Sequence, residues 1–468
     1  MRPYTGPYRT RSLLPGARGS PAAPVSPRRH RKTFIVSRPL HLRRELGLLG
    51  AVVTGLGSIV GTGVFVSIGI AAGIAGPSVV AAILIGGAVA TFNGLSSAQL
   101  AANHPVSGGT YEYGYRYLAP TWGFLAGWLF MTAKSASAAT AALGFSGYLL
   151  LQFGLPSRSL LIALALLAVS GLTGVVLLGI QRSNAANIAI VSLTLGCLTV
   201  FVAFGFESAL ENAGATLTNL FGEGGEREGA ARRLLHASAL MFVAYTGYGR
   251  IATLGEEVRA PRRTIPRAIV VTLVGTMVLY GLVAFVAISA AGVGTLDGAT
   301  DRAAPLAAAA REFAPPFAPT VVTVGAIVAM LGVLLNLILG LSRVLLAMAR
   351  RRDAPYRLST LNERGTSPTL AVLAVGAIIG GLTLTGNVGI TWSFSAFTVL
   401  LYYAITNLAA LALPREERLF PKWVAVAGLL ACLSLAFFVE PTVWAVGLGL
   451  IALGLVWRYL FRRGASGA

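Results

Sequence analysis

The sequence predicts an all-α membrane protein of about twelve transmembrane helices. Ten of them form two five-helix units of opposite orientation, two accessory helices follow, and the first and sixth helices are discontinuous. Three observations predict this. The chain of 468 residues is 55% apolar and only 12% charged, whereas soluble domains carry roughly a quarter charged residues. Apolar runs of roughly 20 residues, enough to cross about 30 Å of hydrocarbon as helix, recur from residue 46 onward. A β-barrel would show short alternating segments instead. Finally, two of the runs carry glycines at their midpoints: "GLGSIVGTGVF" (Gly55 to Phe65), with Gly61-Thr62-Gly63, and "HASALMFVAYTGYGRIATLGEEV", with Gly247 and Gly249.

Along the chain, residues 1–44 are rich in Arg, Pro, Gly and Ser and lack an apolar core. They predict a disordered basic cytoplasmic tail rather than a secretory signal. Spans are expected at about 46–73, 77–102, 119–152, 158–180, 184–206, 234–255, 266–292, 317–349, 368–386, 388–413, 420–438 and 441–461. Spans one to ten make a core over 45–413. Residues 414–468 add two accessory spans and a short basic tail. The longer connections are 103–118, 207–233 and 293–316, and 207–233 reads as an amphipathic or mobile extracellular segment. With the N-terminus inside, about 28 Lys and Arg fall inside, about six outside and three within spans. The net charge of +20 is therefore an orientation signal with some attraction to anionic lipid, and no basic face suits nucleic acid. The expected location is the plasma (inner) membrane, with both termini cytoplasmic. Cys197 and Cys432 lie in apolar runs and read as buried side chains.

The first and sixth spans each head a five-span unit and run in opposite directions. Paired breaks in corresponding positions point to a transporter's central site. A break in hydrocarbon strands backbone groups at several kcal/mol each unless something polar meets them. The amides of Gly61, Thr62 and Gly63 at the positive end of a half-helix suit a carboxylate. The carbonyls of Ile59 and Val60, with those of Val243, Ala244 and Thr246, suit an ammonium. Together they fit a zwitterion. The competing reading is close helix packing through small residues.

Four blocks of the sequence resemble the amino acid permeases of the amino acid–polyamine–organocation superfamily, especially the cationic-amino-acid-transporter-like branch. They are "GLGSIVGTGVFVSIGIAAGIAGPS", "HPVSGGTYEYGYRYLAPTWGFLAGW", "FVAYTGYGRIATLGEEVRAPRRTIPRAI" and "GLSRVLLAMARRRDAP". The resemblance covers roughly 42 to 413. It implies a LeuT-like five-plus-five inverted repeat with two extra helices. It also implies a substrate α-carboxylate on the amides of Thr62 and Gly63, beside Gly61. The α-ammonium would sit on carbonyls of Ile59, Val243, Ala244 and Thr246. Tyr245 and Tyr248 would lie near the break as gates or as ordinary packing. Two positions depart from the pattern. The acid that many members carry after the sixth-span aromatic is Gly249 here, followed by Arg250. The fifth-span lysine of some bacterial members aligns with Thr194.

Three cations lie within the spans. Arg250 and Arg343 lie toward the cytoplasmic ends, within reach of water or of Glu256 and Glu257, and are candidate gate residues. Lys134, in "WLFMTAKSASAATA", sits mid-span, where a lysine needs a cavity or a partner. Its open readings are proton coupling, contact with a substrate carboxylate, or a fixed bond to Asn336 or nearby carbonyls. The eighth span has no Ser or Thr near residues 328–332, which tilts coupling toward the proton. The expected function is secondary transport of an amino acid by alternating access, with the proton as a possible co-substrate. The alternatives are an amine or polyamine transporter, an exchanger, or a sensor that binds without moving its ligand. Nothing suggests an enzyme, a cofactor or a metal: no metal-ligand cluster, nucleophile–base pair or phosphate-binding Gly-Lys loop occurs, and His30, His41, His104 and His236 lie at span ends or in tails.

Overall fold

The computed structural model describes residues 46–105, 108–155, 157–179, 184–218, 227–253, 258–300, 302–362 and 367–465. The helices, in order, are α1 Leu48–Ile59, α2 Ile68–Ala75, α3 Val79–Asn103, α4 Thr110–Tyr113, α5 Pro120–Phe153, α6 Arg158–Leu177, α7 Asn184–Glu211, α8 Ala213–Thr218 and α9 Arg227–Tyr245. They continue as α10 Gly249–Ala252, α11 Pro261–Ala291, α12 Val293–Thr300, α13 Pro305–Phe313, α14 Ala318–Arg350, α15 Thr369–Thr383, α16 Val388–Leu411, α17 Lys422–Ala436 and α18 Pro441–Ala465. Among the described residues eight helical stretches are long and apolar enough to cross a membrane, and α1, α15 and α17 are shorter apolar helices. Helix occupies each of the twelve apolar runs read from the sequence. The protein is thus a nearly all-helical, multi-pass integral membrane protein.

The 34-residue α5 packs against α14 and α16, while α3 packs against α9 and α11. Its "SASAATAA" stretch explains the close approach to α16. Small side chains let two helices come near enough for hydroxyls to bond across the gap. Ser137 and Ser395 lie 2.7 Å apart, and Thr140 and Thr391 lie 2.8 Å apart. Helices α17 and α18 lean on α3, α5 and α16.

The connections hold structure that hydropathy does not detect. Residues 103–118 carry α4 and a π turn at Gly114–Leu118. Residues 293–316 fold as α12 and α13. The segment 207–233 is largely helical where it is described, because α7 runs on to Glu211, α8 follows and α9 starts at Arg227; 219–226 lie outside the described residues. Helix α13, "PLAAAAREF", starts with a proline where a missing N–H costs nothing. It buries Leu306, Ala307, Ala309 and Ala310. Such a helix is too short to cross a bilayer and gains its stability from the neighbours it caps.

Candidate functional site

At the first break the helical ladder stops and restarts within a few residues. The last amide tied to α1 is that of Val60, which donates to Leu56 O at 2.8 Å. Val60 itself is extended, with ψ 106°. The amides of Val64 and Phe65 both return to Gly61 O at 3.1 Å, and a π turn over Gly63–Ser67 leads into α2. The amides of Gly61, Thr62 and Gly63 fall between the two ladders. Thr62 Oγ1 is buried there with no hydrogen-bond partner among the described residues.

The second break lies against the first. Helix α9 ends at Tyr245, a 3₁₀ turn covers Thr246–Tyr248, and α10 follows. A Cβ on Gly247 would sit 2.2 Å from the carbonyl oxygen of Ser58. One on Gly63 would sit 2.8 Å from Ala244 Cβ. The glycines are therefore what lets the two interrupted helices cross backbone to backbone. Helix α14 closes a further side, with Val333 packed on Gly61. Ile59, Gly61, Thr62, Gly63, Val243, Ala244, Tyr245 and Thr246 are all buried.

The loosened carbonyls meet hydroxyls from neighbouring helices. Tyr280 of α11 donates to Ile59 O at 2.8 Å, and Thr246 Oγ1 donates to Val243 O at 2.7 Å. Tyr403 of α16 donates to Thr246 O at 3.3 Å. On the other side of the first break, Tyr148 of α5 donates to Phe65 O at 2.7 Å. Of the residues singled out above, Lys134 joins this set most directly: its Nζ donates to Thr246 Oγ1 at 2.7 Å. The partner is thus Thr246 on the second break. Asn336 stays half-buried on α14. Thr194 is buried and bonded within its own helix, to Ile190 O at 2.7 Å. Tyr245 donates away from the break, to Ile83 O at 3.1 Å. The Tyr248 ring packs on Tyr403, 5.4 Å between centroids. Tyr280 and Tyr148 escaped the sequence reading. Their signal was a lone hydroxyl aromatic inside an apolar span, where a buried O–H needs a partner.

A different network closes the end at which α5 begins and α14 finishes. Tyr111 and Tyr115 both donate to Asp353 Oδ2, at 2.8 and 2.5 Å. Arg351 pairs with Glu112 at 2.5 Å, and its guanidinium lies 4.5 Å from the centre of the Tyr115 ring. His104 nearby is held below the ordinary histidine range by burial, and then by Arg116 and Arg351. Arg250 and Arg343 are exposed, and Glu256 and Glu257 lie outside the described residues. Asp353→Ala would remove the carboxylate that accepts from both the buried Tyr111 and the half-buried Tyr115 hydroxyls. The expected result is a stability loss of about 2–4 kcal/mol. Thermal melts of Asp353→Ala, the Tyr111→Phe/Tyr115→Phe pair and the triple variant should be strongly non-additive.

Comparison with known proteins agrees with this architecture. Residues 50–466 match the amino acid permease family. An uncharacterized transporter of Mycobacterium tuberculosis is 40% identical over 89% of this chain and 91% of its own length. A branched-chain amino acid permease of Bacillus subtilis is 25% identical over 90% and 94%. A vacuolar cationic amino acid transporter of Arabidopsis thaliana is 26% identical over 81% of this chain and 62% of its own length. These relatives are transporters and permeases, not enzymes. A match over nearly the whole helical body, two interrupted helices crossing at their glycines and a buried polar centre lead to one conclusion: the chain belongs to the amino acid permease family, within the amino acid–polyamine–organocation superfamily.

Proposed function

We propose that the protein is a secondary active transporter that carries an amino acid across the membrane by alternating access, coupled to a proton. The observation that carries this reading is the orphaned hydroxyl of Thr62 at the crossing of the two breaks. A buried hydroxyl without a partner costs about 1–3 kcal/mol, and such a group at a functional site is one a ligand can satisfy. The substrate carboxylate takes this hydroxyl and the amides of Gly61, Thr62 and Gly63. Its ammonium takes carbonyls of Ile59, Val243, Ala244 and Thr246, since a carbonyl bonded to one hydroxyl keeps a second lone pair. In this reading twelve spans build an inverted-repeat core over 45–413 with two accessory spans, and both termini face the cytoplasm. The Tyr111–Asp353 network is then a cytoplasmic closure. Arg250 and Arg343 lie at the same mouth, and Tyr245 and Tyr248 flank the site.

Lys134 gives the coupling its residue. Its ammonium lies in the membrane interior and bonds to a neutral hydroxyl on the second break. A charge held away from water costs several kcal/mol, so adding or removing the Lys134 proton changes the energy of the closed centre. The same cation disfavours a substrate with a basic side chain, because like charges repel in a dry site. That favours a neutral amino acid, as the name of the Bacillus relative indicates for that protein, over a cationic one.

The test is uptake of a labelled amino-acid panel into proteoliposomes under an imposed inward proton gradient, with wild type and Lys134→Ala. Gradient-driven uptake that disappears in the variant, while exchange and binding survive, is the expected result. Uptake indifferent to both gradient and substitution would remove Lys134 from coupling and leave an exchanger or facilitator. Binding without any movement would overturn transport in favour of a sensor.

A further inference from the structure

A second polar feature lies outside the crossing of the two helix breaks. It sits where α5 ends and α6 begins, beside the α12–α13 connection and the turn before α16. A cavity of about 730 Å³ opens there, and three arginines line it: Arg158, Arg302 and Arg311. No carboxylate lines it among the described residues; Asp301 lies outside them. On the orientation read from the charge distribution this end faces outward. It holds only about six of the Lys and Arg, as the positive-inside rule demands. Half of those few cations meet at one cavity.

The arginines are set in place by backbone. Arg158 Nη2 donates to Thr385 O at 2.9 Å, and Arg311 Nη2 donates to Leu151 O at 3.1 Å. The peptide of Arg302 is pressed onto α5, where a Cβ on Gly147 would come within 2.2 Å of Arg302 O. A guanidinium has five N–H donors in a planar fork. One fixed donor leaves the others for a forked contact with an oxyanion. Three such cations around one cavity repel one another, and an anion between them relieves that repulsion. The caps of α6 and α16, Ser157 and Asn387, also line the cavity, so two helix dipoles add positive potential.

We propose that this cavity is a binding site for a phosphoryl oxyanion, presented by a lipid headgroup or by free inorganic phosphate. Binding here is separate from amino acid transport and can be read without it. Thermal melts of the purified full-length protein would be recorded with inorganic phosphate against chloride at matched ionic strength. A second series would compare short-chain phosphatidylglycerol with short-chain phosphatidylcholine. The same titrations would be run on Arg158→Gln/Arg302→Gln/Arg311→Gln, and on Arg302→Gln alone in case the triple variant does not fold. Stabilisation by phosphate or by phosphatidylglycerol, weakened about tenfold or more in the triple variant and measurably in Arg302→Gln, is the expected outcome. Response to phosphatidylglycerol alone assigns the lipid headgroup; response to inorganic phosphate assigns a soluble ion. Absence of stabilisation by both ligands, or stabilisation that the arginine substitutions leave unchanged, would overturn the site.

Discussion

Gly247→Ala is expected to abolish transport, lowering uptake by more than about tenfold, and to lower the melting temperature. The added Cβ would lie 2.2 Å from Ser58 O and 2.5 Å from Ser58 C. Both are backbone atoms and cannot swing aside as the end of a long side chain can. Forcing a methyl into such a contact costs about 1–3 kcal/mol or more through shifted backbone. The shift would occur where the two interrupted helices cross, so it would displace the Ile59 carbonyl and the Thr62 hydroxyl together. Gly275→Ala and Gly340→Ala are the matched controls, because a Cβ at either meets nothing within 4 Å. Uptake and melting should be measured on the same preparations. Wild-type uptake by Gly247→Ala would show that the crossing tolerates separation and that its tight fit is incidental to movement.

Thr246→Val is expected to be the most destabilising of the polar substitutions. It removes the acceptor of the Lys134 ammonium and the hydroxyl that meets Val243 O, while keeping the shape of the side chain. Removing a partner from a buried polar group costs about 1–3 kcal/mol, and more when the group left unsatisfied is a charge such as the Lys134 ammonium. Lys134→Met removes that charge, so the double variant Lys134→Met/Thr246→Val should be more stable than Thr246→Val alone. A thermodynamic cycle from melts of the four proteins checks this. Equal stability of Thr246→Val and the double variant would mean that Lys134 finds another partner at no cost, which would weaken its assignment to the second break. Under the proposed coupling role of Lys134, uptake by the double variant should lose its dependence on the proton gradient.

Which positions were legible in the sequence follows from what hydropathy and backbone chemistry record. The apolar runs placed helix throughout because crossing hydrocarbon demands both length and an internally bonded backbone. The glycine pairs marked both breaks because few other signals interrupt an apolar run. Lys134 was conspicuous because a charge in such a run needs a partner. The identity of that partner was not legible. Asn336 and nearby carbonyls were the partners that the sequence suggested, and only packing α5 against the second break brought in the Thr246 hydroxyl instead. Asp353 was hidden in a loop among arginines, and its two tyrosine donors lie 242 and 238 residues away along the chain.

By itself, then, the sequence determined the medium, the helices, the two interruptions and the presence of a mid-span cation in need of a partner. Each is set locally, by the solvent that one segment prefers and by what one backbone can bond to itself. The tertiary structure alone decided that Gly247 rests on Ser58, that Tyr280 and Tyr403 satisfy the opened carbonyls, that Thr62 keeps a free hydroxyl and that three arginines surround one outer cavity. These depend on which helices become neighbours. Neighbours are chosen by close packing of whole surfaces, a property that no single segment carries.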